Sequence, residues 1–120
     1  MTKYMEKLKV VFHINENEKW PVVLSNVKNL IKDMGEENII IKVIANGVAV
    51  SCYMPEPDNQ RVIRNVEELS AIGVVFIACR NSLMGNRIDE KTLSDTIEIV
   101  PAGVTELVKR QSEGYAYIKP

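Results

Sequence analysis

Two cysteines, one histidine and no excess charge of either sign set the first limits on this 120-residue chain. Cys52 and Cys79 lie far apart, so there is no C-x-x-C pair for dithiol chemistry and no closely spaced ligand pair for structural zinc. A single disulfide between them is disfavoured in a reducing cytosol. Fifteen basic residues against sixteen acidic ones leave a formal charge of −1. Such a balance offers no basic field for nucleic acid or an anionic membrane, and neither is expected as a partner. No apolar run approaches the ~20 residues of a membrane span, and "MTKYMEKLKVVFHI" has no long apolar stretch behind its lysines. A cytoplasmic location is expected.

Several familiar sites are missing as well. The stretch after the first apolar run, "INENEKW", has no glycine, which excludes the dinucleotide-binding G-x-G-x-x-G turn. No phosphate-binding loop ending in Gly-Lys-Ser/Thr occurs. A cysteine phosphatase needs an arginine after five intervening residues, but that position after Cys79 is Gly85, and Arg87 comes two residues too late. A phospho-acceptor receiver domain would end its third strand on aspartate, where this chain has Cys79.

What is present is alternation. The runs "LKVVFHI" (8–14), "NIIIKVIA" (38–45), "VVFIA" (74–78), "TIEIV" (96–100) and "YAYI" (115–118) read as strands. Between them lie helical patterns. Val23, Val27, Leu30, Ile31 and Met34 form one stripe, with Pro21 suited to the first turn and Gly35 to the exit. Val62, Val66 and Leu69 form a second stripe, and Val104, Leu107 and Val108 a third after Pro101. "VAVSCYM" fits helix or strand, "PEPDN" reads as a loop, and a short helix is expected near "DEKTL". Repeated strand–helix units predict an α/β fold, with a mostly parallel sheet covered by helices on both faces. Residues 1–120 read as one domain, since no linker, repeat or low-complexity tract divides them.

Ligands and chemistry in open parallel sheets gather at the carboxyl ends of the strands. Those ends supply His13 and Asn15, then Asn46 and Gly47, then Cys79 with Arg80, Asn81 and Ser82, then Pro101. A thiol just before a helix start is well placed to ionise, with Arg80 adding positive charge if it points that way. Such a thiolate is a nucleophile able to hold sulfane sulfur as a persulfide. Cysteine is equally a common packing residue. His13 reads as a hydrogen-bonded strand-end residue or a proton carrier, Cys52 as core, and Trp20 as packing or a subunit contact. No metal set is expected.

The stretches "VVFHINENEKWPVVLSNVKNLI", "VIANGVAVSCY", "GVVFIACRNSL" and "IEIVPAGVTELVKRQSEGYAYIKP" resemble the DsrE/DsrF-like proteins, and more narrowly their small stand-alone branch. A-C-R-N and V-P-A-G-V-x-E-L-V are the most specific parts of the likeness. The resemblance implies a three-layer α/β/α fold with a five-stranded parallel sheet, assembled into homotrimers or larger rings such as hexamers. It also implies that Cys79, at the position after the third strand, accepts and passes persulfide sulfur between donor and acceptor proteins. The family role carries over to Cys79 alone; by their strand-end positions His13, Asn15, Asn46, Gly47, Arg80, Asn81 and Ser82 would line its pocket. No metal or organic cofactor is needed, because sulfur is the cargo. The alternative is a non-enzymatic ligand-binding or assembly module in which Cys79 is only part of the wall.

Overall fold

The computed structural model describes residues 7–120. The reading of residues 1–6 as free of an apolar leader lies outside them. Five strands form one sheet: β1 (Leu8–Ile14), β2 (Ile39–Ala45), β3 (Val75–Cys79), β4 (Ile97–Val100) and β5 (Ala116–Ile118). Their spatial order is β4-β3-β2-β1-β5, and all four pairings are parallel. The helices are α1 (Trp20–Met34), α2 (Gln60–Ala71), α3 (Arg80–Gly85) and α4 (Gly103–Ser112).

Crossover handedness explains the layers. From β1 to β4 each strand is added on the same side of the last, so right-handed connections deposit α1 and α2 on one face. The connection from β4 to β5 returns across the sheet to the opposite edge, which sends α4 to the other face. Alternate strand residues report this division. Phe12, Val43 and Phe76 join Val23, Val27, Val66 and Leu69 in the main core. Val11, Ile44, Ile77 and Val100 pack beneath Leu107 of α4 in a much smaller one. The central strands are buried on both faces, which is why they read as continuous apolar runs.

Divergent connections matter for the site. β3 and β4 are neighbours, yet the chain leaving β3 enters α3 on the main-core side, whereas the chain leaving β4 enters α4 on the other. Loops that part in this way open the crevice in which parallel sheets place their ligands. Cys79 pairs with Val100 at its mouth.

The ambiguous segment after β2 forms an unusually long 3-10 run, Gly47–Tyr53. Side-chain hydrogen bonds to the rest of the molecule support its weak geometry. Trp20 Nε1 donates to Ala49 O at 3.0 Å, Asn59 Nδ2 donates to Ser51 O and Met54 O, and Tyr53 Oη donates to Ile77 O. Trp20 is fully buried and meets the Tyr53 ring edge-on, so its role is packing. Truncating such a residue to alanine typically costs about 3–5 kcal/mol. Cys52, half-buried in this run, packs against the main core, and its Sγ donates to Asn17 Oδ1 at 3.5 Å. Burial pushes its thiol up.

The third helical stripe differs from expectation. Leu107 is buried, but Val104 and Val108 are 64% and 62% exposed. A ten-residue helix lying on a flat sheet can bury only a narrow stripe. At its far end α4 is held by Lys9, whose Nζ donates to Glu113 O at 2.8 Å. A cation at the last carbonyls also suits the helix dipole.

Candidate functional site

Cys79 ends β3 and is the N-cap residue of α3, with extended backbone (φ −76°, ψ 117°). An N-cap side chain normally supplies an oxygen to the free N–H groups of the first helical turn. Here the side chain is a thiol and makes no such cap bond. Burial pushes the Cys79 thiol up, but the polar groups around it outweigh that push. The Ser82 hydroxyl and the backbone N–H groups of Gly103, Ser82 and Asn81 together hold the thiol below its ordinary range. Asn81 N–H also lies 3.4 Å from Pro101 O, tying α3 to the turn after β4. The first turns of two helices, one on each face, thus meet at one sulfur.

Gly103 makes that approach possible. A Cβ there would stand 3.2 Å from Cys79 Cβ and 3.4 Å from Asn46 Cβ, closer than side chains ordinarily sit. The absence of a side chain lets the α4 backbone come down onto the sheet.

The environment adds one limit and corrects one expectation. Cys79 is only 5% exposed, so it lies under the rim rather than open on it. Arg80 does not serve the sulfur. Its Nε donates to Glu90 Oε1 at 2.8 Å, and the guanidinium is engaged there. The wall around the sulfur is therefore polar but made of N–H and O–H groups, without a charged partner.

The remaining strand-end residues form a row. His13 lies on the α4 face, as do Asn46 and Cys79 by strand alternation. His13 Nε2 lies 2.9 Å from Asn46 Oδ1, and Nδ1 lies 2.7 Å from Tyr117 Oη. Asn46 Oδ1 only accepts, so in the neutral ring Nε2 carries the proton and Nδ1 accepts from the Tyr117 hydroxyl. His13 thereby ties β1 to both neighbours, and the row runs Tyr117–His13–Asn46 toward Cys79. Gly47, at φ +58°, donates its N–H to Ser82 Oγ at 2.8 Å. Asn15 is exposed, and its main-chain oxygen faces Gly47. The structure thus brings Asn46, Gly47, Asn81 and Ser82 around Cys79, keeps His13 one side chain away, and leaves Asn15 and Arg80 apart.

Three contributors escaped sequence reasoning. Gly103 follows the strand-end Pro101 by two residues, and a glycine opening a helix was the available signal. Tyr117 carried none, because its partner depends on strand order. Asn86 donates from Nδ2 to Gly47 O and Ser82 O at 3.1 and 2.7 Å. It leads into an αL-capped exit from α3, in which Arg87 adopts φ +59° and Ile88 N–H returns to Leu83 O. Among the described residues, no three His, Cys, Asp or Glu side chains converge as metal ligands. A cavity of about 470 Å³ opens at the opposite end of the sheet, between β1, the end of α1 and β5, far from this chemistry.

Fold and site together define a parallel α/β protein with a strand-end thiol at the divergence of two connections. The profile of the DsrE/DsrF-like family matches residues 25–120, and the chain belongs to that family. It is 34% identical to the protein of unknown function MTH1491 from Methanobacterium thermoautotrophicum, with a TM-score of 0.85 over 95% of this chain and 100% of that one. The E. coli ychN protein shares the fold at 18% identity, with a TM-score of 0.72 over 97% of this chain and 100% of that one. BT1422 from Bacteroides thetaiotaomicron, a conserved protein of unknown function, does so at 13% identity, with a TM-score of 0.73 over 93% and 94%. No curated protein matches the chain. No described helix is long and apolar enough to cross a membrane.

Proposed function

We propose that this protein is a single-domain, cytoplasmic sulfur-relay component that carries sulfane sulfur on Cys79. The observation that supports this most directly is the seat of Cys79 between the first turns of α3 and α4, with Gly103 against its Cβ, where the polar groups of Ser82, Gly103 and Asn81 hold the thiol below its ordinary range despite burial. They favour the thiolate, the form that reacts. In loading, the Cys79 thiolate attacks the outer sulfur of a donor persulfide, R–S–SH. The donor S–S bond breaks, a new S–S bond forms on Cys79, and the donor leaves as R–S⁻. In discharge, an acceptor thiolate takes the outer sulfur and the electron pair returns to Cys79 Sγ. Neither step changes the overall oxidation level. A thiol held at low pKa is a good leaving group, which suits discharge.

Family membership supports the relay role, and the exposed surface supports a protein partner. Val48, Met84 and Val104 are 47%, 69% and 64% exposed, and each follows Gly47, Ser82 or Gly103 by one or two residues. Exposed apolar side chains so near in sequence to the neighbours of the thiol are of the kind that protein contacts use. Val104 and Val108 on α4 likewise support self-association as a homotrimer or hexamer.

The test is incubation with a cysteine desulfurase and cysteine, followed by intact-protein mass spectrometry. The expected result is a gain of one sulfur on the parent and on Cys52→Ser, with none on Cys79→Ser. A parent that gains nothing overturns the carrier role. The deep burial of Cys79 favours one second reading, an assembly or ligand-binding module with Cys79 as wall. In that case Cys79→Ser keeps any ligand-induced thermal stabilisation of the parent.

A further inference from the structure

Asn46-Gly47 is the one Asn-Gly pair in the chain, and it follows directly on β2. Ala45 pairs with Ala78 in register, so Asn46 and Cys79 come next on adjacent strands. Their Cβ atoms stand 3.4 and 3.2 Å from the point where a Gly103 side chain would begin. Asn-Gly is the asparagine context most open to deamidation, because glycine puts no side chain in the way of ring closure. In that reaction the Gly47 nitrogen loses its proton to solvent and attacks Asn46 Cγ. The bond from Cγ to the side-chain nitrogen breaks, and ammonia leaves. Water then opens the succinimide ring to aspartate or isoaspartate.

The fold needs both residues. Gly47 adopts φ +58°, which favours glycine, and Asn46 Oδ1 accepts from His13 Nε2 at 2.9 Å. We infer that Asn46 is a latent deamidation site, which the fold keeps as an amide through His13 and Ser82. Ring closure is opposed first in the main chain. It needs the Gly47 nitrogen eclipsed with Asn46 Cβ about the Cα–C bond, but at ψ −178° the two are staggered. Turning that bond would break both hydrogen bonds of one peptide plane. Gly47 N–H donates to Ser82 Oγ at 2.8 Å, and Asn46 O accepts from Ala49 N–H at 3.2 Å. The side chain is opposed as well. The carboxamide must swing toward the main chain, and it is held by His13, itself tied to Tyr117 Oη at 2.7 Å. Conversion would set a carboxylate next to Cys79, and a like charge there disfavours the thiolate. The consequence for sulfur transfer rests on the carrier role proposed above.

The test is prolonged incubation at mildly alkaline pH, with the mass of the peptide containing residue 46 followed over time. The native parent is expected to convert roughly tenfold or more slowly than the same protein in urea, since a local opening must come first. His13→Ala and Ser82→Ala, each checked for folding by circular dichroism, are expected to convert several-fold faster than the parent. If both fail to fold, Tyr117→Phe decides the matter, since it removes only the hydroxyl that steadies His13; a smaller acceleration is expected. Val66→Ala, a destabilising change in the main core, touches none of these bonds and is expected to stay near the parent. A native parent that converts as fast as the unfolded chain overturns the inference. So do folded variants that match the parent, or a Val66→Ala protein as fast as His13→Ala. In a Cys52→Ser background, Asn46→Asp is expected to slow alkylation of Cys79 several-fold, and an unchanged rate overturns the link to the thiol. Sulfur loading is scored separately. A protein that protects Asn46 but never gains sulfur loses the carrier role and keeps this inference, whereas one that loads sulfur and converts freely does the reverse.

Discussion

Gly103 rests directly on Cys79: a Cβ built there would lie 3.2 Å from Cys79 Cβ, a tight contact. The atoms it would meet, including Asn46 Cβ at 3.4 Å, are attached to sheet backbone and cannot swing away as a long side chain would. Gly103→Ala is therefore expected to cost about 1–3 kcal/mol, the usual cost of overpacking. It should also move the Gly103 N–H off the sulfur and raise the Cys79 titration. Urea unfolding and thiolate absorbance check the two effects.

The thiols also predict a pH dependence of stability. Cys79 is lowered in the folded protein, so its thiolate contributes stability that is complete above the ordinary thiol pKa and lost as pH falls through the lower folded value. Within that window unfolding free energy should rise with pH. Cys52 is raised by burial and acts in the opposite sense, losing stability as pH climbs past the ordinary thiol range. The comparison is therefore best made in Cys52→Ser protein, where adding Cys79→Ser should flatten the slope. An unchanged slope would remove Cys79 as its source.

Arg87 occupies a left-handed position, φ +59°, that suits glycine. A non-glycine residue there costs about 1–2 kcal/mol, while glycine's extra freedom in the unfolded chain costs roughly 0.5–1 kcal/mol. Arg87→Gly should then stabilise the protein by about 0.5–1 kcal/mol. A lower urea midpoint would show that the arginine side chain contributes something that the backbone accounting omits.

The outward face of α4 makes a prediction about assembly. With Val104 and Val108 64% and 62% exposed, a double change to aspartate leaves the core untouched. If copies of the chain pack through this face, native mass spectrometry should show an oligomer for the parent and monomer for the Val104→Asp, Val108→Asp protein. An oligomer that survives both changes places the contact elsewhere.

The strands were legible because both their faces are buried: Ile39–Ala45 and Val75–Cys79 need apolar residues at nearly every position. The stripes of α1 and α2 were legible for a related reason, each covering a broad part of one face. On α4 the same spacing misled, since periodicity marks apolar residues without saying whether they meet this sheet or another molecule. The position of Cys79 followed from the strand-end rule. Its neighbours did not, because Glu90 draws Arg80 away over ten residues, and His13 reaches Tyr117 only once β5 is known to flank β1. Gly103 reached the sulfur through a crossover whose direction no local pattern encodes.

The Lys9 tether at the end of α4 gives the close seat of Gly103 a mechanical meaning. A ten-residue helix is a stiff rod about 15 Å long, pinned by Lys9 at its tail and resting on sulfur at its head. An atom added to Cys79 has little slack above it, so the head of the rod must rise or α3 must give way. If sulfur is loaded there and the head lifts, the outer valines are expected to tilt with it. Hydrogen exchange along 103–112, compared between empty and loaded protein, should register that tilt, and identical protection would show the rod unmoved.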